Sequence, residues 1–284
     1  MSWDKITEQQ NSASANIDEN STLEILSIIN NEDAGVALAI QKKLTEIEAF
    51  IDALIPKIRR GGRLFYVGSG SSGRLGVLDA AECPPTFSTD PEMVQGIIAG
   101  GYDALVKSIE GAEDNPADGA KAIVDYGINS EDTVLGITAS SSTPFVLGAL
   151  EKAKEIGAMT GLLLCNNPPK LEYVDYIISI IMGPEVITGS TRMKAGTATK
   201  LVLNMITTTL MIKLNKTYGN LMVDLKASNE KLWDRGTRII QHLTDLNYDD
   251  ALKLLQSADG EVKTAVVMEK LKVGVGDARE KLNE

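Results

Sequence analysis

A single histidine, His242, stands in the 284 residues, and its scarcity removes whole classes of chemistry. A Ser-His-Asp triad would have to use it, and no G-x-S-x-G accompanies it. A metal site built on two histidines is impossible. His242 falls in a stretch of helical spacing, where a structural role suits it better, so acid–base work passes to carboxylates, lysine or tyrosine. Cysteine is almost as scarce: Cys83 and Cys165 lie far apart and outside any C-x-x-C. That indicates neither a disulfide framework nor a zinc site, and both read as small buried hydrophobes. No metal or other cofactor is expected. No apolar run approaches the roughly 20 residues that span a bilayer. The first residues lack the charged-then-apolar layout of a secretion signal, and the expectation is a cytoplasmic protein. Positive charge is in deficit as well. A net charge of −11 argues against nucleic acid and anionic membrane as partners, since both select basic surfaces. Any anionic ligand must be held by local geometry.

What the chain does have is concentrated between Gly62 and Pro85, GRLFYVGSGSSGRLGVLDAAECPP. Arg63-Leu64-Phe65-Tyr66-Val67 is a short apolar run of strand type. It breaks at Gly68-Ser69-Gly70-Ser71-Ser72-Gly73, and helical spacing resumes through Leu75, Leu78 and Ala81. A strand, a glycine and serine turn and a helix start make an anion site, because free N–H groups gather there at the positive end of the helix dipole. Gly68, Gly70 and Gly73 match the dinucleotide pattern G-x-G-x-x-G, which also wants an acid about 20 residues on, at the tip of the next strand. The next strand, Val94-Gln95-Gly96-Ile97-Ile98-Ala99, runs into Gly100-Gly101 with no acid at its tip. Ser69, Ser71 and Ser72 bring hydroxyl donors instead, which suit the several oxygens of a phosphomonoester. A glycine and serine turn without any ligand remains the plain alternative.

Taken in order, residues 1–20 are polar and without periodicity, an arm or loop. Ser21-Thr22-Leu23-Glu24 is a capping-box pattern, and apolar residues at helical spacing then predict two helices before the sheet, with a break near Asn30-Asn31. Pro84-Pro85 should stop the helix after the first strand. Asn115-Pro116 reads as a cap followed by proline at the first helical position. Strand three, at 133–138, enters Ala139-Ser140-Ser141-Ser142-Thr143-Pro144, repeating the first motif. Strands four and five are expected at 161–165 and 176–181. The loop at 183–196 carries Thr188, Ser190 and Thr191 with the cations Arg192 and Lys194, opening a long helix. A further helix is expected at 221–243, then three short ones near 248–257, 260–270 and 275–282. Alternating strands and helices imply a doubly wound, mostly parallel five-stranded α/β sheet. The domain plan is an N-terminal arm and helices over 1–60, the sheet domain over 61–245 and a small helical domain over 246–284.

The stretches NSASANIDENSTLEIL, GSGSSGRLGVLDAAECPPTF, QGIIAGG, EGAEDN, GPEVITGSTRMKAGTATKLVLNM and YGNLMVD together resemble the N-acetylmuramic acid 6-phosphate etherases, which are built on the sugar isomerase (SIS) phosphosugar-binding fold. The tail resembles that family's ubiquitin-associated-like helical domain. The resemblance implies hydrolysis of the lactyl ether of N-acetylmuramic acid 6-phosphate to N-acetylglucosamine 6-phosphate and D-lactate during peptidoglycan recycling, by elimination and water addition without a metal. It places the proton donor on Glu82, in A-E-C-P-P, and the second acid/base on Glu113, in E-G-A-E-D. The phosphate loops fall on Ser69, Ser71, Ser72 and Gly73, on Ser140, Ser141, Ser142 and Thr143, and on Thr188, Ser190 and Thr191, with Lys194 beside the last. Where the family commonly reads A-A-S-G-R-T-P-Y this chain has TASSSTPF, so Ser142 takes the place of an arginine.

The two carboxylates suit such chemistry if their environments differ. A helix end and partial burial would keep Glu82 protonated, and a position just before the helix at Asn115 would keep Glu113 ionised. By chemistry alone Asp79 and Asp114 are equal candidates. A phosphosugar isomerase and a non-catalytic phosphosugar-sensing regulator are the competing readings of the same fold. The apolar surface of the long helices predicts a homodimer.

Overall fold

The computed structural model describes residues 5–227 and 229–283. Ser21 starts the first helix as the sequence predicts. Its hydroxyl accepts from Glu24 N while the Glu24 carboxylate accepts from Ser21 N, so orphan donors at the helix start are satisfied reciprocally. This helix, α1 (Thr22–Ala34), buries none of its side chains. α2 (Val36–Gln41) and α3 (Leu44–Arg59) follow. The break falls at Gly35, and Asn30 and Asn31 lie inside α1, where one turn of asparagine is tolerated. The face of α3 carrying Ile47, Phe50, Ile51, Leu54 and Ile58 is buried, with the Phe50 ring edge-on to Tyr176, 5.9 Å between centroids.

Five parallel strands, β1 (Leu64–Gly68), β2 (Val94–Ile98), β3 (Thr133–Ile137), β4 (Met159–Leu164) and β5 (Tyr176–Ser179), pair in the order β2-β1-β3-β4-β5. Every residue of β1, β3 and β4 is buried. Apolar runs without alternation belong to a sheet covered on both faces. The covering helices are α4 (Gly70–Phe87), the short α5 (Asp103–Val106), α6 (Pro116–Asp125) and α7 (Pro144–Ile156). Asn115 caps α6 by accepting from Ala117 N at 3.0 Å, with Pro116 in the first position. Phe65, Val134 and Leu162 of the sheet meet Ile123 of α6 and Val146 and Leu150 of α7 in one core. The chain leaves β1 toward β2 and returns to β3 on the other side. At that reversal the loops following β1 and β3 diverge and open a crevice at their carboxyl ends.

Two further expectations are corrected. α4 does not stop at Pro84-Pro85 but continues to Phe87. Each proline forfeits its N–H and sets its ring against the carbonyl four residues back, yet the helix holds, and Ser88 N closes the last turn on Pro84 O at 2.9 Å. The helix expected at 221–243 is α9 (Glu230–Leu243), capped by Asn229. The described residues just before it form no helix: Tyr218 and Leu221 bridge across a tight turn, and Lys226 bridges Glu261. α8 (Lys194–Lys213) precedes that stretch, and α10 (Tyr248–Ser257), α11 (Val262–Leu271) and α12 (Val275–Asn283) follow.

The chain divides into two compact units. The first runs to Ala81 and resumes over Pro91–Leu210, and the second takes Glu82–Asp90 and the chain from Met211. α1–α3 therefore join the sheet. In the second unit Ile239 and Ile240 of α9 pack with Ala251, Leu255, Val262 and Ala265, so the helical domain begins upstream of residue 246. Among the described residues no helix is long and apolar enough to cross a membrane.

Candidate active site

β1 feeds α4 directly: Gly68 ends the strand, Gly70 begins the helix, and Ser69 lies between them. Gly70 has φ +49°, a left-handed conformation in which a side chain would be strained. Gly73 is needed for a different reason. A Cβ there would sit 2.6 Å from Ile98 Cγ1 and 2.8 Å from Gly68 O, so its bare backbone lets the first turn of α4 lie on the ends of β1 and β2. Ser71 and Ser72 are half-buried in that turn, beside N–H groups that have no partner within the helix.

Ser69 Oγ donates to Glu113 Oε2 at 2.7 Å, joining the first hydroxyl loop to the expected acid/base. The backbone of Glu113 is fixed from the other side, where Phe145 N, in the first turn of α7, donates to Glu113 O at 3.0 Å. The segment leading to Glu113 is tied back to α4. Arg74 donates to Leu105 O at 3.1 Å and to Lys107 O at 2.9 Å. Ser69, Arg74, Lys107, Glu110 and Glu113 line an open cavity of about 360 Å³, within the ~300–1,000 Å³ of small-molecule sites. The sequence reading missed Arg74, because an arginine one turn into a helix looks like any solvated charge.

The second loop follows β3. Its hydroxyls bond one another in a chain: Thr138 Oγ1 to Thr143 Oγ1 at 2.7 Å, Thr138 Oγ1 to Ser140 Oγ at 3.4 Å, and Ser140 Oγ to Ser142 Oγ at 3.4 Å. Ser141 turns the backbone with φ +68°. Since Phe145 N holds Glu113 O, the two loops at the sheet's reversal flank this carboxylate. Ser142, where the resemblance expects arginine, accepts a hydrogen bond from the Lys5 ammonium.

The remaining candidates lie elsewhere. Thr188, Ser190 and Thr191 follow β5, two strands from β3, and among the described residues no hydrogen bond joins them to the first two loops. Gly189 N instead donates to Thr7 O at 3.1 Å. Lys194 is not open to a ligand. Its side chain is 3% exposed and its ammonium pairs with Glu32, holding that carboxyl below the usual range. The sequence could not show this pairing because the partners stand 162 residues apart. Glu185 caps α8, accepting from Lys194 N at 3.0 Å and Ala195 N at 2.9 Å. Burial pushes the Cys165 thiol up to about 12, with the Glu185 charge adding to it, so this cysteine is inert.

Asp79, the chemical rival of Glu82, is buried and structural. It accepts from Asn204 Nδ2 at 2.7 Å, Tyr66 OH at 3.0 Å and Thr207 Oγ1 at 3.3 Å, while burial raises its pKa. Glu82 is exposed on α4. It is neither partly buried nor at the helix terminus, since α4 continues to Phe87.

Comparison with known proteins bears on the family and the fold. A family model described as the glucokinase regulatory protein N-terminal SIS domain matches residues 46–154, and one described as the C-terminal lid domain of glucokinase regulatory protein matches residues 219–282. The chain is 49% identical over 279 residues to an N-acetylmuramic acid 6-phosphate etherase of Geobacillus sp. (strain WCH70), covering 98% of this chain and 95% of that protein. It is 51% identical over 282 residues to one from Clostridium acetobutylicum, covering 99% and 93%. Among solved structures, a putative phosphosugar isomerase involved in capsule formation from Bacteroides fragilis superposes with a TM-score of 0.52 at 16% identity, covering 69% of this chain and 93% of that one. A phosphoheptose isomerase from Neisseria gonorrhoeae gives 0.51 at 14%, covering 67% and 99%. At such identities these two show the fold.

Proposed function

Because the chain belongs to the N-acetylmuramic acid 6-phosphate etherase family, we propose that it is a carbon–oxygen lyase releasing D-lactate from N-acetylmuramic acid 6-phosphate, with Glu113 as base. In the opened sugar the aldehyde acidifies the C2 proton. Glu113 takes it, the C3–O bond breaks, and the lactyl oxygen keeps the electron pair, gains a proton and departs as D-lactate. Water then adds across the conjugated C2=C3 bond, hydroxyl to C3 and proton to C2, giving N-acetylglucosamine 6-phosphate. The balance needs no oxidant or reductant. The Ser69–Glu113 hydrogen bond carries this reading: it fixes a carboxylate between two hydroxyl loops at helix starts, so a phosphate seated on those turns presents its sugar carbons to the base.

Glu82 is proposed as the proton donor, supplied by a second copy of the chain. Gly70 and Glu82 are twelve residues apart on α4, and a rise of about 1.5 Å per residue separates them by about 18 Å along the axis. A base on C2 and an acid on the C3 oxygen must each lie within about 3 Å of neighbouring atoms. We infer a homodimer in which Glu82 of a second copy completes the site. The side chains of α1 support a partner: none is buried, and Leu23 and Leu26 are 73% and 57% exposed. A cytoplasmic location fits the phosphorylated substrate.

The test is incubation with N-acetylmuramic acid 6-phosphate and assay of D-lactate. The wild type should release it, and Glu113→Gln should lose about 10²- to 10⁴-fold in kcat. Ketose formation without lactate would make the protein an isomerase, and ligand-induced stabilisation without turnover would make it a sensor.

A further inference from the structure

A phosphomonoester carries about −1.5 to −2 charges at neutral pH, and hydroxyls and N–H groups alone meet it with no formal positive charge. In a chain of net charge −11 the general field is also unfavourable. Of the cations near these loops, Lys194 is spent on Glu32, Arg74 is engaged by two backbone carbonyls, and Lys107 lines the cavity that Ser69 and Glu113 share, not the second loop. Resting on the function proposed above, we propose that Lys5 of the N-terminal arm is the phosphate-gripping cation of this site, acting with Ser140 and Ser142 of the second loop.

The arm is a strap. From Ser14 back to Lys5 it crosses the carboxyl ends of β5, β4 and β3 and is bonded at each. Ser14 Oγ donates to Val186 O at 2.6 Å, and Gly189 N to Thr7 O at 3.1 Å. Asn166, just beyond β4, donates to Thr7 Oγ1 at 3.3 Å and accepts from Ile6 N at 3.2 Å. Thr7 and Asn166 are 3% and 2% exposed. The backbone is thus fixed one residue from Lys5, and the ammonium is delivered to Ser142 from a pinned position. Among the described residues it meets no carboxylate. An ammonium has three donors. One is used on Ser142, and the others are free for a phosphate oxygen that also meets the Ser140 and Ser142 hydroxyls. The polar, aperiodic arm thereby becomes part of the binding site.

Lys5→Met removes the charge and keeps the length; Lys5→Arg restores the charge. Two readouts apply: steady-state D-lactate release, and calorimetric binding of N-acetylglucosamine 6-phosphate against N-acetylglucosamine. Losing a charge-assisted hydrogen bond is expected to raise KM, and to weaken binding of the phosphorylated sugar, by about 10- to 100-fold. Expected with it are a kcat within about threefold, an unchanged thermal midpoint, weak binding of the unphosphorylated sugar unaffected, and recovery in Lys5→Arg to within about threefold. Unchanged KM and unchanged phosphosugar affinity in Lys5→Met would overturn the proposal. So would equal losses in both variants together with a lowered thermal midpoint, which would make Lys5 a fastening of the strap. If the wild type binds the phosphosugar but releases no lactate, the etherase reading fails while the binding comparison still decides Lys5. If the wild type binds no phosphosugar, both fail.

Discussion

The Ser69 hydroxyl has one proton to give, and it gives it to Glu113. That leaves its lone pairs for the turn and sets the carboxylate in one orientation. Ser69→Ala frees Glu113 to rotate while the backbone stays held by Phe145 N, so the loss should fall on turnover rather than on binding. The expected effect is about a tenfold fall in kcat, from a net hydrogen-bond contribution of about 1.4 kcal/mol, with KM within about twofold and partial recovery in Ser69→Thr. Steady-state lactate release measures it, and a rise in KM at constant kcat would place Ser69 on the phosphate alone. At this scale Ser69 stood in a turn whose residue types point to an anion site, while Glu113 was singled out only by the family resemblance, since by chemistry alone Asp79 and Asp114 were equal candidates. The cations were not legible. Lys194 has the sequence context of a ligand-binding lysine, but its partner is Glu32, and Lys5 sits in a polar arm that offers no periodicity to place it. Ion pairs and straps depend on contacts more than a hundred residues apart, which no local pattern encodes.

The Glu32–Lys194 pair joins α1 to the start of α8, and it matters to those elements because α1 buries none of its own side chains. Glu32→Gln would leave a nearly buried ammonium without its counter-charge. The expected cost is about 2–4 kcal/mol, read from the denaturation midpoint, and Glu32→Gln with Lys194→Met should recover part of it. The pH dependence has a definite sign. Chiefly the Lys194 hydrogen bond, opposed by partial burial, holds the Glu32 carboxyl below 4.5. The unfolded chain therefore binds the proton first as pH falls, and the stabilisation is complete above pH 4.5 and drains away below it. The deficit of Glu32→Gln should be largest at neutral pH and shrink under acid. A deficit that does not change with pH would show that the ion pair contributes nothing. Elements with a chemical start signal were read correctly, as at Ser21 and Asn115. Those decided by tertiary contact were not. Residues 221–227 are apolar enough for a helix, but Lys226 is bridged to Glu261, and Pro84-Pro85 are carried inside α4.

For the whole molecule the decisive quantity is the length of α4. The alternation of strands and helices implied a doubly wound parallel sheet, and the structure adds that its order reverses between β1 and β3. That Glu82 stands twelve residues beyond Gly70 on one unbroken helix appeared only when α4 proved continuous to Phe87, and the proposed supply of Glu82 by a second copy rests on it. Two chains, each dead alone, then become a direct test. Glu82→Gln and Glu113→Gln homodimers should both be inactive. In a mixed dimer, one site pairs the intact Glu113 of the first chain with the intact Glu82 of the second, and the other site has neither. Unfolding and refolding an equimolar mixture gives about half mixed dimers, so lactate release should return to about a quarter of the wild-type rate. Activity that stays at the level of the separate variants, in a mixture proven by mass spectrometry to contain mixed dimers, would mean that Glu82 does not act across the interface, and the proton donor would have to be sought in the cavity beside Glu113.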